Sequence, residues 1–167
     1  MQGVRYWLEM RDPKWLKPAL SSDPSLKVVP AIRCEPWLCR QLYAEIGRDY
    51  HWVDRLGWTD DDVRKRLLGG RVRLSILFHG GDPAGYYELA AHPDTSVELT
   101  SFGLRPAYIG RGFGKHLLSV AVEEAWRRGA ARVFLHTSSF DHPAALPNYQ
   151  SRGFRVYREE ACAAGEE

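Results

Sequence analysis

Val72, Leu74, Ile76 and Phe78 fall on every second position, the period of one face of a strand. Gly80-Gly81-Asp82-Pro83 then supplies turn chemistry, and residues 85–91 read as the returning strand of a hairpin. His92-Pro93-Asp94-Thr95 turns the chain again before a third strand over 97–104. Three strands on short connections predict an antiparallel meander. Beyond a glycine-rich stretch the period changes. Leu117, Leu118, Ala121, Val122 and Ala125 recur at helical spacing, predicting a helix that runs to about residue 128 and stops at Gly129. A short strand over 132–137 follows. Strand, glycine loop, helix and strand form a βαβ unit, so its two strands are expected to be parallel. A helix over 144–152 and a strand over 154–158 complete this half.

The first half is less regular. Residues 4–10 and 26–33 read as strands joined by a Pro- and Ser-bearing connection. Pro36 opens a helix to residue 46, ended by Gly47. Residues 48–58 form a loop rich in aromatic and charged side chains. Thr59 caps a helix to residue 68, with Asp60, Asp61 and Asp62 in its first turn, where the helix dipole favours them. The pattern predicts an α/β protein with a mixed (α+β-like) sheet and helices on both faces. Residues 1–167 are expected to be one domain, with 1–70 as an N-terminal portion and 71–160 as the core.

Composition narrows the picture little. The formal charge is +2, so bulk electrostatics point to neither nucleic acid nor a membrane surface. No apolar run reaches the roughly 18 residues of a membrane span, and the first residues lack the apolar core of a signal peptide. Cys34, Cys39 and Cys162 are an odd set without framework spacing, which suits reduced thiols and a cytoplasmic location. Cys34 and Cys39 have no matching Cys or His pair for zinc, so no metal is expected, and Cys162 falls in an expected C-terminal tail.

Gly110-Arg111-Gly112-Phe113-Gly114-Lys115 lies where a strand hands over to a helix. Glycines there permit sharp turns and close ligand approach, and the free amides of a helix start favour phosphate oxygens. A Walker A loop fails, because Ile109 occupies its first glycine position and His116 replaces Ser or Thr. A dinucleotide fingerprint fits poorly after an antiparallel meander. The stretch resembles the coenzyme A pyrophosphate loop of the GNAT acyltransferase superfamily, Q/R-x-x-G-x-G/A. Gly112 and Gly114 take the two small positions, and Leu117-Leu118 the apolar pair that follows. Tyr149-Gln150-Ser151-Arg152-Gly153-Phe154 resembles the same family's Y-x-x-x-G-F close, with Ala145 at its small position. Two departures are Ile109 in place of Gln or Arg, and His142 in place of the usual Asn.

The resemblance implies acetyl-CoA as donor and direct attack by an amine in a ternary complex. It implies backbone contacts to the donor from Phe102 and Leu104, with the Phe102 amide polarising the thioester. It also implies donor contacts from Ile109, Gly110, Arg111, Gly112, Phe113, Gly114, Lys115 and His142. Tyr149 matches the family's general acid, the plainer alternative being an aromatic that packs the last helix. Glu98, fourteen positions before Gly112, matches a general base seen in some members; the alternative is an acid that faces solvent or pairs with an arginine across the sheet. Glu88 is a rival base or an ammonium-binding carboxylate, and a water chain is a third course. His136 and His142 are candidate proton shuttles or ordinary structural histidines.

Tyr50, Trp52, Asp54, Arg55 and Trp58 are the candidates for the acceptor, with aromatic walls, Asp54 for an ammonium and Arg55 for a carboxylate. The tryptophans are equally suited to anchoring helices. The leading expectation is an N-acetyltransferase for a primary amine of a small molecule or amino acid. Alternatives are a protein or peptide N-acetyltransferase and a catalytically silent acyl-CoA-binding sensor. Folds of this type often pair, so a homodimer is expected without an identifiable interface.

Overall fold

The computed structural model describes residues 1–166. Its strands form one mixed seven-stranded sheet: β1 (Gln2–Met10), β2 (Leu26–Pro30), β3 (Val72–His79), β4 (Asp82–Ala91), β5 (Ser96–Leu104), β6 (Arg132–Ser138) and β7 (Arg155–Ala163). Four helices cover it: α1 (Pro36–Gly47), α2 (Asp60–Leu67), α3 (Phe113–Arg127) and α4 (Ala145–Ser151). The strand order is β2-β3-β4-β5-β6-β1-β7. As the hydrophobic pattern predicts, β3, β4 and β5 are an antiparallel meander, and β5 and β6 are parallel partners across α3.

Alternation along the strands serves two cores. Leu74 and Ile76 of β3 and Tyr86 of β4 face Cys39, Leu42, Ile46 and Val63 of α1 and α2. Tyr87, Leu89, Val97 and Leu99 face the opposite way, against Leu117, Leu118, Ala121 and Ala125 of α3. Each fully buried leucine contributes about 1.5–3 kcal/mol of hydrophobic free energy. The capping box of α2 is present, with the Thr59 side chain accepting from the Asp62 amide and the Asp62 carboxylate from the Thr59 amide.

The chain departs from the sequence reading at its ends. The second strand stops at Pro30, and a 3-10 turn takes residues Ala31–Arg33. β7 continues to Ala163 rather than ending at residue 158, and Cys162, expected in a tail, is buried opposite Gly3. The reason is β1, which inserts between β6 and β7 and pairs antiparallel with both. The polar stretch of β7 is thereby recruited as an outer strand.

That insertion shapes the centre of the sheet. β5 stays bonded to β4 out to Leu104, and β6 stays bonded to β1 out to Ser138. Pairing between β5 and β6, however, ends at Glu98 and Phe134. Held by their outer neighbours, the two strands diverge beyond that point. The resulting wedge opens a cleft between them.

Candidate active site

A cleft of about 420 Å³ occupies the wedge. Residues 99–104 of β5 form one wall, His136 and Ser138 of β6 the other, and the start of α3 lies across one end. Gly110 and Gly112 both have φ of +80°, a backbone state that side-chain-bearing residues rarely adopt. Gly112 is the N-cap of α3 and carries no side-chain cap, so the first-turn amides are left for an external acceptor. Lys115 and Gly114 line the cleft beside them. This end suits phosphate groups by charge, dipole and available donors. Phe102 and Leu104 give the adjoining wall an apolar character suited to an aliphatic arm.

Tyr149 lines the same cleft from α4 and is 7% exposed. Its ring meets Phe102 edge-on at 6.1 Å and Phe154 at 6.2 Å. Burial, with the negative charge of Asp141 nearby, raises its pKa, so the phenol keeps its proton at neutral pH. Such a group suits donation of a proton to a leaving group rather than abstraction.

The glycine of the Y-x-x-x-G-F stretch has a local cause. Gly153 adopts φ +110°, and a Cβ built there would lie 1.9 Å from the carbonyl oxygen of Trp15. The neighbouring Arg152 carbonyl accepts from the Lys17 amide at 2.8 Å. This glycine lets the segment after β1 pass against the end of α4.

The expected site residues divide. Phe102, Leu104, Ile109, Gly110, Gly112, Gly114, Lys115, His142 and Tyr149 meet around the cleft, joined by Tyr50 and Trp52. Arg111 and Phe113 do not line it. Phe113 is buried in the core, and Arg111 lies over the rings of Tyr108 and Phe113 at 5.6 and 4.9 Å.

Three acceptor expectations are corrected. Arg55 does not await a carboxylate ligand: its guanidinium grips Glu88 with two bonds of 2.7 and 2.8 Å. Trp58 stacks on that guanidinium at 4.8 Å, and both line a separate small cavity of about 20 Å³. Asp54 is exposed and away from the cleft. Glu88 is corrected with them. It is fully buried, and Arg66 and the Thr100 hydroxyl reach it at 2.9 and 2.7 Å. Burial alone would raise its pKa, but bonds and charge from Arg55 and then Arg66 outweigh this and hold it at about 2. A carboxylate so paired is a poor base, and it binds the strand to α2 and the loop before it.

Glu98 sits at the apex of the wedge, on the last β5–β6 pair, and is not part of the cleft wall. Its carboxylate lies 2.9 Å from His92 Nε2. His116 accepts the Ser21 amide at Nδ1, 3.0 Å away, and so belongs to a loop contact.

Several cleft residues escape the sequence motifs. Asn148 stands beside Tyr149, with Nδ2 3.7 Å from where a Cβ on Gly114 would be. Asp141 accepts from the Thr137 hydroxyl and the Ser138 amide and fixes the turn after β6. Arg5 reaches the cleft from β1. Tyr50 faces His142 at 5.8 Å and His51 faces Phe140 at 6.2 Å, so two loops distant in sequence close the mouth with aromatic contacts. No local signal joins those loops.

A mixed sheet whose parallel central strands diverge above a glycine turn and helix start defines an acyltransferase-type α/β fold. The description "Acetyltransferase (GNAT) family" matches residues 33–154, and the chain belongs to that family. It is 28% identical over 146 residues to a mycothiol acetyltransferase of Corynebacterium efficiens, covering 83% of this chain and 47% of the relative. It is 29% identical over 126 residues to the N-alpha-acetyltransferase RimI of Mycobacterium tuberculosis, covering 74% of each. Among solved structures, a GCN5-related N-acetyltransferase from Sphaerobacter thermophilus superposes with a TM-score of 0.67 at 16% identity, over 94% of this chain and 49% of that one. The chain therefore spans about half the length of the first curated relative.

Proposed function

We propose that this chain transfers an acetyl group from acetyl-CoA to a primary amine of a small molecule. The observation that carries the reading is the wedge between β5 and β6, with the uncapped, positive-φ start of α3 at one end and buried Tyr149 on its floor. The donor fits those features. The first-turn amides of α3 and Lys115 would hold its diphosphate, and Phe102 and Leu104 would flank its aliphatic arm. The bound thioester supplies an activated acetyl group. In this reading the Phe102 amide polarises the carbonyl, the wedge excludes water, and the Tyr149 hydroxyl supplies the proton that the departing sulfur requires.

The aromatic closure at Tyr50–His142 and His51–Phe140 favours a compact acceptor over an extended chain. A peptide amino terminus is the second reading, favoured by the similarity to RimI across three quarters of both chains. The test is free-thiol release from acetyl-CoA against a panel of small amines, amino acids and alanyl or seryl peptides, run with wild type and Tyr149→Phe. Amine-dependent release by wild type is expected. Tyr149→Phe, which keeps the ring packing, should lower turnover about 10²-fold or more with acetyl-CoA affinity nearly unchanged. Tight donor binding without release on any acceptor would instead favour a binding module, and an unchanged rate in Tyr149→Phe would remove the acid role.

A further inference from the structure

We propose that His136 accepts the proton of the attacking amine; this rests on the acetyl-transfer reading above. The carboxylates that sequence favours for the task are badly placed. Glu88 is neutralised by two arginines outside the cleft, and Glu98 is bonded to His92 at the apex. Asp141 lines the cleft, but its Oδ2 is committed to Thr137 and Ser138. The Glu166 carboxylate accepts from the Ala163 amide. Of the cleft's histidines, His142 spends Nδ1 on the Ala144 amide, 3.0 Å away, and His51 is exposed at the mouth against Phe140.

His136 stands on β6 two residues beyond the last β5–β6 pair, on the wall that faces the diverging part of β5. Its strand partner is Trp7, whose ring lies 4.7 Å from the imidazole at an interplanar angle of 48°. The indole is itself fixed, since Nε1 donates to Glu160 at 3.0 Å. A fixed aromatic backing limits the rotation of a base and holds it toward the cleft.

Electrostatics agree with this geometry. The charges that act on the imidazole are those of Arg5 from β1, Glu98 from β5, Asp141 from the turn after β6 and Glu160 from β7. Burial, then the positive charge of Arg5, lowers its pKa from 6.5 against the opposing pull of the three carboxylates. The ring is therefore neutral at pH 7, and the same carboxylates favour the imidazolium once a proton arrives.

The amine lone pair forms a bond to the thioester carbonyl carbon, and the proton lost by nitrogen passes to a ring nitrogen of His136. The tetrahedral centre then collapses, the carbon–sulfur bond breaks, and sulfur takes the Tyr149 hydroxyl proton. Solvent removes the proton from His136 and returns one to Tyr149.

The experiment follows the turnover number against pH for wild type, His136→Asn and His136→Ala, with phenethylamine and an alanyl peptide as acceptor probes. In parallel, the ring resonance of His136 is titrated by NMR in ¹³C-histidine-labelled wild type, assigned by its loss in His136→Asn. Wild type should gain rate as pH rises through an apparent pKa below 6.5, and the NMR titration should give the same value. His136→Asn should lose that limb and about 10²–10⁴-fold in turnover, with acetyl-CoA affinity retained. Added imidazole should restore part of the His136→Ala rate, which a purely structural role would not allow. A ring still charged at pH 7, or a His136→Asn enzyme with the wild-type rate and profile, would overturn the assignment while leaving acetyl transfer intact. Failure of wild type to release thiol with any acceptor would instead remove the reading on which it rests.

Discussion

Glu88 lies at 0% exposure between two guanidinium groups, and its carboxylate is the counterion of both. Removing one partner of a buried ion cluster leaves uncompensated charge, at a cost of about 3–5 kcal/mol. Glu88→Gln should lower unfolding free energy by that order in a denaturant titration at pH 7; an unchanged midpoint would contradict a structural role. The pH dependence has a definite sign. The folded pKa of about 2 lies below the ordinary glutamate value of 4.5, so this contribution is complete above 4.5 and fades as pH falls toward 2. Sequence offered Glu88 and Arg55 separately, as a base and a ligand-binding cation. Their partnership spans 33 residues, and nothing in the local pattern of either predicts it. Tyr149 was easier to place, because its spacing from Ala145 and Gly153 lies within one short segment. Asn148, directly beside it, carries no such signal, because no periodicity marks a polar residue at a helix position facing a cleft.

The helices and the meander were legible for a physical reason: their apolar periods are long, and glycine, proline or a capping threonine bounds them. The hydropathy pattern understates β7, because Arg158, Glu159 and Glu160 continue it and an outer strand needs little apolar alternation. The pattern marks β1 as a strand but not its place between β6 and β7. Pairing across more than 120 residues leaves no trace in hydropathy, and the wedge depends on that pairing. Gly153 is the element boundary most open to test. Alanine there meets the positive φ and the Trp15 carbonyl together. Strain of about 1–3 kcal/mol from the backbone alone, at about 2–4 °C per kcal/mol for a chain of this size, should lower Tm by several degrees. A thermal midpoint equal to wild type would show that the segment after β1 can yield.

Across the molecule, the sheet has two differently employed faces and one break. One face, with α1, α2 and the Glu88 cluster, is packing; the other is closed by α3 and α4. The break exists because β5 and β6 each answer to an outer neighbour. Family membership places the chain among acetyltransferases, while its relatives differ in the acceptors their names record. In the proposed function, acceptor choice is assigned to the two loops at the mouth, which meet through Tyr50–His142 and His51–Phe140. No helix among the described residues is long and apolar enough to cross a membrane. Donor binding in the wedge is the central expectation. Gly114 allows a direct probe, because a side chain there would enter the cleft wall beside Asn148 and Leu104 with only ordinary contacts at 3.7 Å. The measurement is a calorimetric titration of acetyl-CoA into wild type and into folded Gly114→Val. Saturable binding by wild type, weakened at least about tenfold in the variant (1.4 kcal/mol or more), is the predicted result. Equal binding by both proteins, or none by wild type, would contradict the placement of the donor between β5, β6 and the start of α3.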